Sequence, residues 1–177
     1  MRSKLIYIIF AVGVLMAAIL LAIILAENVP NSGGVAHPDL PGLQIGGDGA
    51  ARMENIGTLG LAFHFLLLVQ IVLLSVLGIS ERYRSIELLA CMGGSLALML
   101  LVAWQMYSGH QQFLETGETD YFLGFPTATA WATYGTWLAA IPHVVIYTWG
   151  FRKYIYTPED QQKYEALLKE KSKRSEQ

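Results

Sequence analysis

Apolar residues gather into four long stretches that are separated by shorter polar, glycine-rich or proline-rich segments. The stretches cover residues 5–26, 56–79, 87–107 and 125–151. As an α-helix, with ~1.5 Å of rise per residue, each stretch is long enough to cross a hydrocarbon core of ~30 Å. We therefore predict an all-α membrane protein with four transmembrane helices. A cleaved signal peptide is the alternative for the first stretch, but no clean small-residue cleavage site precedes Glu27, which favours an uncleaved anchor.

Two segments outside these stretches have a composition of their own. Residues 27–55 are rich in proline and contain pairs of adjacent glycines, so we predict an extended outer loop there. Near the other end, Thr157 and Pro158, followed by acidic residues, are typical of the start of a helix, which we expect to run to about Lys171. The sequence thus predicts a transmembrane domain over residues 1–156 and a short cytoplasmic helix in a tail over residues 157–177. The partly apolar face of that helix is suited to the membrane surface or to another cytoplasmic domain.

Basic residues mark one side of the predicted membrane domain. Hydrophobic residues make up 54% of the 177 residues and charged residues only 15%, a balance outside the usual range of soluble proteins. All but one of the 12 Lys and Arg residues lie in residues 2–4, 82–84 and 152–174, and the exception is Arg52. Basic residues collect on the cytoplasmic side of membrane proteins. The sequence therefore predicts a multi-pass protein of the inner (plasma) membrane with both termini in the cytoplasm.

Small and polar residues recur at helical spacing in the second and fourth stretches. These residues are Gly57, Gly60 and His64 in the second stretch and Ala128, Ala132, Gly135, Ala139 and His143 in the fourth. Small residues at steps of three and four let a second helix approach closely, and a histidine that faced lipid would be costly. We therefore predict that both stripes pack against helices, and that the stripe of the fourth helix contacts a partner chain.

The two membrane histidines permit two interpretations. The first is that His64 and His143 form hydrogen bonds between helices. The second is that they hold haem b or touch a quinone. A haem shared by the two is disfavoured, because the predicted spans place them at different depths, whereas two axial ligands must face each other at nearly one level. His37 and His110 fall in or beside the outer segments, and we interpret them as solvated histidines.

Signatures of soluble enzymes are absent from the sequence. It contains no zinc-protease, Walker, dinucleotide, CxxC or nucleophile-elbow motif, and its single cysteine, Cys91, permits neither an intrachain disulfide nor a cysteine-based metal site. The middle of each predicted helix has no Asp, Glu, Lys or Arg, although a pump or transporter usually places such a charge in its pathway. We therefore expect no enzymatic activity, no metal, no resident cofactor, no nucleic-acid partner and no transport by this chain alone.

The last stretch resembles a known family. Gly124-Phe125-Pro126, with Trp131, Gly135, Tyr147 and Phe151 after it, is similar to the last span of small membrane subunits that accompany sodium:solute symporters, where a GFP turn opens the final helix. The first half of the chain, with its long outer loop and additional spans, departs from the shorter two-helix form of that family. The resemblance implies an accessory subunit of a symporter without indicating a substrate.

These features predict a non-catalytic accessory subunit of a multisubunit inner-membrane complex. The favoured complex is a cation-coupled solute transporter, and the expected partners are membrane lipid and other integral membrane subunits. The alternative is a membrane anchor subunit of a respiratory electron-transfer complex that contacts haem b or quinone through His64 or His143. A free-standing homo-oligomer is the third interpretation.

Overall fold

Long helices make up most of the computed structural model, which describes residues 2–30 and 33–175. The helices are α1 (Arg2–Leu25), α2 (Gly49–Gly78), α3 (Ile86–Thr116), α4 (Thr127–Ala130), α5 (Thr136–Gly150) and α6 (Pro158–Ser175), and a 3₁₀ turn, Glu81–Tyr83, joins α2 to α3. α1, α2 and α3 are each long and apolar enough to cross a membrane. The prediction of an all-helical membrane protein is confirmed.

Two of these membrane helices extend further than the sequence predicted. α2 begins at Gly49, inside the predicted loop of residues 27–55, because the Asp48 side chain accepts a hydrogen bond of 2.9 Å from the Ala51 amide and caps the helix. α3 continues beyond residue 107 to Thr116, where Gly117 ends it with a φ of 72°. Both extensions are polar. Polar residues end an apolar stretch, but they do not end a helix.

The predicted fourth span is a helical run that differs from a single α-helix. A π-helical turn, Trp131–Gly135, joins α4 to α5, and a second one, Phe151–Ile155, follows α5. Pro142 lies inside α5 and has no amide to bond the carbonyl one turn before it. α5 alone has 15 residues, fewer than the ~20 that a straight span requires. A fourth crossing therefore needs the whole run of residues 127–155, and it stays a prediction.

Two short antiparallel hairpins lie at one end of the bundle. They pair β1 (Val35–Ala36) with β2 (Gln44–Ile45) and β3 (Tyr121–Phe122) with β4 (Phe125–Pro126). Leu123 and Gly124 form the two-residue turn of the second hairpin, and both have positive φ, 47° and 84°, as in a type I′ turn. The GFP motif is therefore the closing half of a hairpin that leads directly into α4. We call this end of the bundle the acidic end, and the end with the 3₁₀ turn the basic end.

α3 is the central helix of the bundle. It packs on α2 and also on α4, α5 and the π-helical turn between them, whereas α1 packs mainly on α2. Four buried residues form a core near the basic end, namely Val72, Ile79, Leu88 and Met92. Buried Val102 and Ala139 extend the contact between α3 and α5 toward the acidic end. The contact between α2 and α3 is thus best packed at the basic end.

A polar network fixes the start of α6 to the basic end. Arg82 pairs with Asp160, and the Tyr83 hydroxyl lies 2.9 Å from the Thr157 hydroxyl. Asp160 Oδ2 accepts hydrogen bonds from the Thr157 hydroxyl at 2.8 Å and from the Thr157 amide at 3.2 Å. The hydrogen bonds from Thr157, above all the one from its hydroxyl, lower the pKa of the Asp160 carboxyl below its ordinary value of 3.8. The nearby Arg82 guanidinium lowers this pKa further. α6 thus begins where the sequence predicted and continues past Lys171 to Ser175.

Candidate functional site

The small-residue stripe of the fourth helical run faces α3 of the same chain. A Cβ atom at Gly135 would lie 3.0 Å from a methyl carbon of Val102, and one at Gly109 would lie 3.6 Å from the Ala128 amide nitrogen. Ala139 is only 2% exposed. A contact of Gly135 or Ala139 with a partner chain, which the sequence predicted, is not compatible with this packing, because α3 already occupies that surface.

His143 belongs to a polar contact between α5 and α2. Its Nε2 atom lies 2.9 Å from the Ser75 hydroxyl oxygen, and that hydroxyl donates to the Ile71 carbonyl at 2.9 Å. Because the Ser75 proton is used in the bond to Ile71, we assign His143 Nε2 as the donor and Nδ1 as an acceptor. One turn along α5, the Tyr147 hydroxyl donates to the Ser75 carbonyl. His143 therefore bonds across helices, which is the first of the two interpretations that the sequence allowed.

A cavity of about 240 Å³ opens beside this contact. Its walls are His64 and Ile71 of α2, Met99 and Met106 of α3, and Ala139, His143 and Val144 of α5, together with apolar neighbours of these residues. Ile71 and Val144 are also exposed on the outside of the bundle, so the cavity opens sideways between α2 and α5. The result is an apolar chamber within the helices, bordered by both membrane histidines.

His64 lies at the opposite end of the chamber from His143. From His64 to Ser75, the partner of His143, α2 rises by ~16 Å. His64 also lines an open groove of about 490 Å³ between α2 and α3, which Gly57 and Gly60 line as well. No hydrogen bond to the His64 imidazole occurs within residues 2–30 and 33–175. The second stripe of the sequence therefore faces the groove and the chamber.

The chamber does not fit a haem held by both histidines. The two axial ligands of a haem bind one iron from opposite faces, and a separation of ~16 Å along α2 is too large for that. In the part of the chain that the structure describes, no group of three or more His, Cys, Asp or Glu side chains could hold a metal ion. The chamber instead offers apolar walls with one imidazole at either end.

The remaining candidate residues, His37, His110 and Ala132, lie outside the chamber. His37 lies in the loop between β1 and β2, where its Nδ1 atom accepts hydrogen bonds from the Asp39 and Leu40 amides at 3.1 and 3.2 Å. It therefore shapes the loop in addition to being solvated. His110 is exposed on α3 and lines the groove, and Ala132 is half-buried in the π-helical turn.

One face of α3 is uncovered and carries unusually small residues. Ala90, Gly93, Gly94 and Ala97 are exposed at helical spacing, and a Cβ atom at either glycine would meet nothing within 4 Å. Further toward the acidic end, the same face presents Leu101 and Trp104, which are also exposed. Small residues in a membrane helix allow close approach of another helix. The sequence alone did not indicate this free face, because it does not show which faces of α3 other helices cover.

Comparison with protein-family models, with curated proteins and with solved structures found no match to this chain.

Proposed function

We propose that this chain is a non-catalytic accessory subunit of a multisubunit complex in the inner membrane, and that the complex is a cation-coupled solute transporter. The observation that carries the proposal is the uncovered small-residue face of α3, formed by Ala90, Gly93, Gly94 and Ala97. Lipid chains need no small residues to pack against a helix, whereas close approach of a second helix is favoured by them. A transmembrane helix of another subunit is the partner that uses such a face.

The lack of charged side chains in the chamber favours an accessory role for this chain over transport by the chain itself. Neither the chamber nor its sideways opening is lined by Asp, Glu, Lys or Arg. A solute or ion inside the chamber would meet only imidazole, hydroxyl and apolar groups. Coupled transport usually places an ionisable group in the pathway, so we assign the pathway to the partner subunit.

The GFP motif supports the transporter class. Its hairpin is fastened to the helix that it opens, since the Tyr134 ring lies 6.1 Å from the Phe122 ring and 5.9 Å from the Phe125 ring, both edge-on. Thr127, at the start of α4, also donates its amide and its hydroxyl to the Asp120 carbonyl. The motif is therefore an ordered surface feature, as a specific contact with one type of partner would require.

The proposed arrangement in the membrane has four crossings. The helical run of residues 127–155 rises by ~43 Å, which exceeds the ~30 Å hydrocarbon core even with two π-helical turns. Because all of the 12 Lys and Arg residues except Arg52 gather at the basic end, we place that end and both termini in the cytoplasm. The acidic end, with both hairpins, then faces outward.

Identification of the subunits that co-purify with the full chain in mild detergent tests the proposal. A polytopic partner that carries membrane-embedded ionisable residues, recovered at a fixed ratio, is the expected result. Recovery of the chain alone, as a monomer or as a homo-oligomer in native mass spectrometry, contradicts it.

The second candidate is a membrane anchor subunit of a respiratory electron-transfer complex that contacts a quinone through His64 or His143. The observation that favours it is the apolar chamber with an imidazole at each end, open sideways toward the membrane. A haem b is compatible with this chain only if a partner subunit supplies one axial ligand. Extraction of a stoichiometric quinone from the purified complex, or a b-type absorbance spectrum that is lost on His64→Ala or His143→Ala, would replace the accessory-transporter proposal.

A further inference from the structure

The groove between α2 and α3 differs from the chamber in that its mouth is cationic. Arg52 lines this mouth, and it is the single Lys or Arg residue outside the basic segments of the sequence. Its guanidinium forms no hydrogen bond or ion pair within the described residues. The residues that line the groove include no Asp or Glu. An unpaired guanidinium therefore stands at the acidic end, beside a groove without a counter-charge.

Two more groups of α3 lie near the mouth, with His110 close to the level of Arg52 and Tyr107 a little over one turn deeper. The Tyr107 ring comes within 3.6 Å of the Cβ position at Gly57, which fixes how the antiparallel helices are aligned. Arg52 is a little over one turn from Gly57 toward the acidic end, and His110 is about one turn from Tyr107 in the same direction. The Tyr107 hydroxyl accepts a hydrogen bond of 3.0 Å from Gln111, so its own proton is free to be donated.

The floor of the groove is open at Gly60, whereas the Met53 side chain covers Gly57 nearer the mouth. A Cβ atom at Gly60 would meet nothing within 4 Å, so no side chain fills the groove at that level. From Arg52 to His64 the helix rises by ~18 Å, which is close to the length of one lipid leaflet, or half of a core of ~30 Å. At His64, Ala103 and Met106 the groove meets the chamber, because these residues line both. The end of a long acyl chain can continue into the chamber.

From this arrangement we infer that the groove is a binding site for an anionic phospholipid. The phosphate is held at the mouth by the Arg52 guanidinium, with the Tyr107 hydroxyl and the His110 imidazole as further donors. One acyl chain passes the Met53 side chain and lies over Gly60, and its end reaches His64 and the apolar chamber. A guanidinium pairs with a phosphate diester through two parallel hydrogen bonds. Because zwitterionic phospholipids carry the same diester, the preference for a net negative head group comes from the absence of a second cation, such as choline, beside Arg52.

Native mass spectrometry of the full purified chain in detergent tests this site. The probes are dioleoyl-phosphatidylglycerol, which is anionic, and dioleoyl-phosphatidylcholine, which has the same chains and no net charge. The wild-type chain should bind phosphatidylglycerol more tightly. Arg52→Gln should lower that affinity about tenfold, since a hydrogen bond to a charged group is lost. Gly60→Leu should reduce the adducts of both lipids, because the leucine side chain fills the groove.

Matched controls separate the site from general effects. Arg174→Gln removes the same charge from the exposed end of α6, and Gly13→Leu adds the same side chain to a glycine of α1 whose Cβ position meets nothing within 4 Å. Both should bind lipid as the wild type does. Equal binding of the two lipids to the wild type, or an Arg52→Gln variant with unchanged preference, overturns the inference. Unchanged lipid binding by Gly60→Leu, together with loss of a co-purifying subunit, would show that a partner helix occupies the groove instead.

Discussion

Replacing Gly135 with leucine probes the closest approach between α3 and the fourth helical run. A Cβ atom alone would come within 2.8 Å of the Trp131 ring and 3.0 Å of a Val102 methyl carbon, and leucine adds three more carbons. Overfilling a packed site costs ~1–3 kcal/mol, and replacing a helical glycine returns up to ~1 kcal/mol. We therefore expect a net loss of ~1 kcal/mol in the free energy of unfolding, since the two terms together leave a loss of ~0–2 kcal/mol when the full ~1 kcal/mol is returned.

Unfolding of the purified chain by SDS in mixed micelles, followed by circular dichroism, measures this loss. Gly94→Leu is the matched control, since it makes the same substitution on α3 at a glycine whose Cβ position meets nothing within 4 Å. That variant should be as stable as the wild type or slightly more stable, because it gains helix propensity without a clash. Equal stability of Gly135→Leu and the wild type would refute the packing of the fourth helical run on α3.

Three further predictions concern other parts of the chain. The Asp160 pKa, measured by NMR titration of its carboxyl carbon, should lie below 3.8 and rise toward that value in Thr157→Val. Since the folded pKa is the lower one, the contact of Asp160 with the basic end should be fully stabilising above pH ~4 and be lost as the pH falls through the folded pKa. Reporters fused after Gln177 or inserted in residues 80–86 should be cytoplasmic, and tags in residues 30–55 or 111–120 should be outside; cytoplasmic labelling of residues 30–55 would invert the arrangement. Ser75→Ala removes the bond to His143 and should cost ~0.6 kcal/mol in the SDS assay, whereas Ser75→Thr, which keeps the hydroxyl, should cost less; equal losses would mean that the bond contributes nothing.

Apolar patterning was sufficient to predict the three helices that are long and apolar enough to cross a membrane, but not their ends. Lipid imposes a length and an apolar composition on a span, and both are visible in the sequence. The ends of α2 and α3 lie beyond the apolar stretches, and they depend on a local cap at Asp48 and on the left-handed Gly117. In the fourth run, one π-helical turn lies where Gly135 packs against Val102 of α3, and the other follows α5. A count of apolar residues does not reveal that packing.

The stripes of small residues were visible in the sequence, whereas their partners were not. Helical spacing places Gly135 and Ala139 on one face but does not indicate whether that face meets the same chain or another one. The structure brings α3 to this face, and it leaves Gly93 and Gly94 of α3 uncovered. Arg52, the single basic residue on the acidic side, could have indicated the groove from the sequence alone. Its position opposite Tyr107 and His110 required the alignment of α2 with α3.

Co-purification of the Gly94→Leu variant tests the proposed role most directly. Its leucine projects from the free face of α3 and disturbs no contact within the chain. Ala18→Leu, at an exposed position of α1, is the control for added bulk on the outer surface. With equal amounts of each chain in the membrane, we predict that Gly94→Leu recovers much less of the partner subunit in mild detergent than the wild type and Ala18→Leu do. Equal recovery of the partner by all three chains would contradict a subunit contact through this face and, with it, the account of the chain as an accessory subunit held by α3.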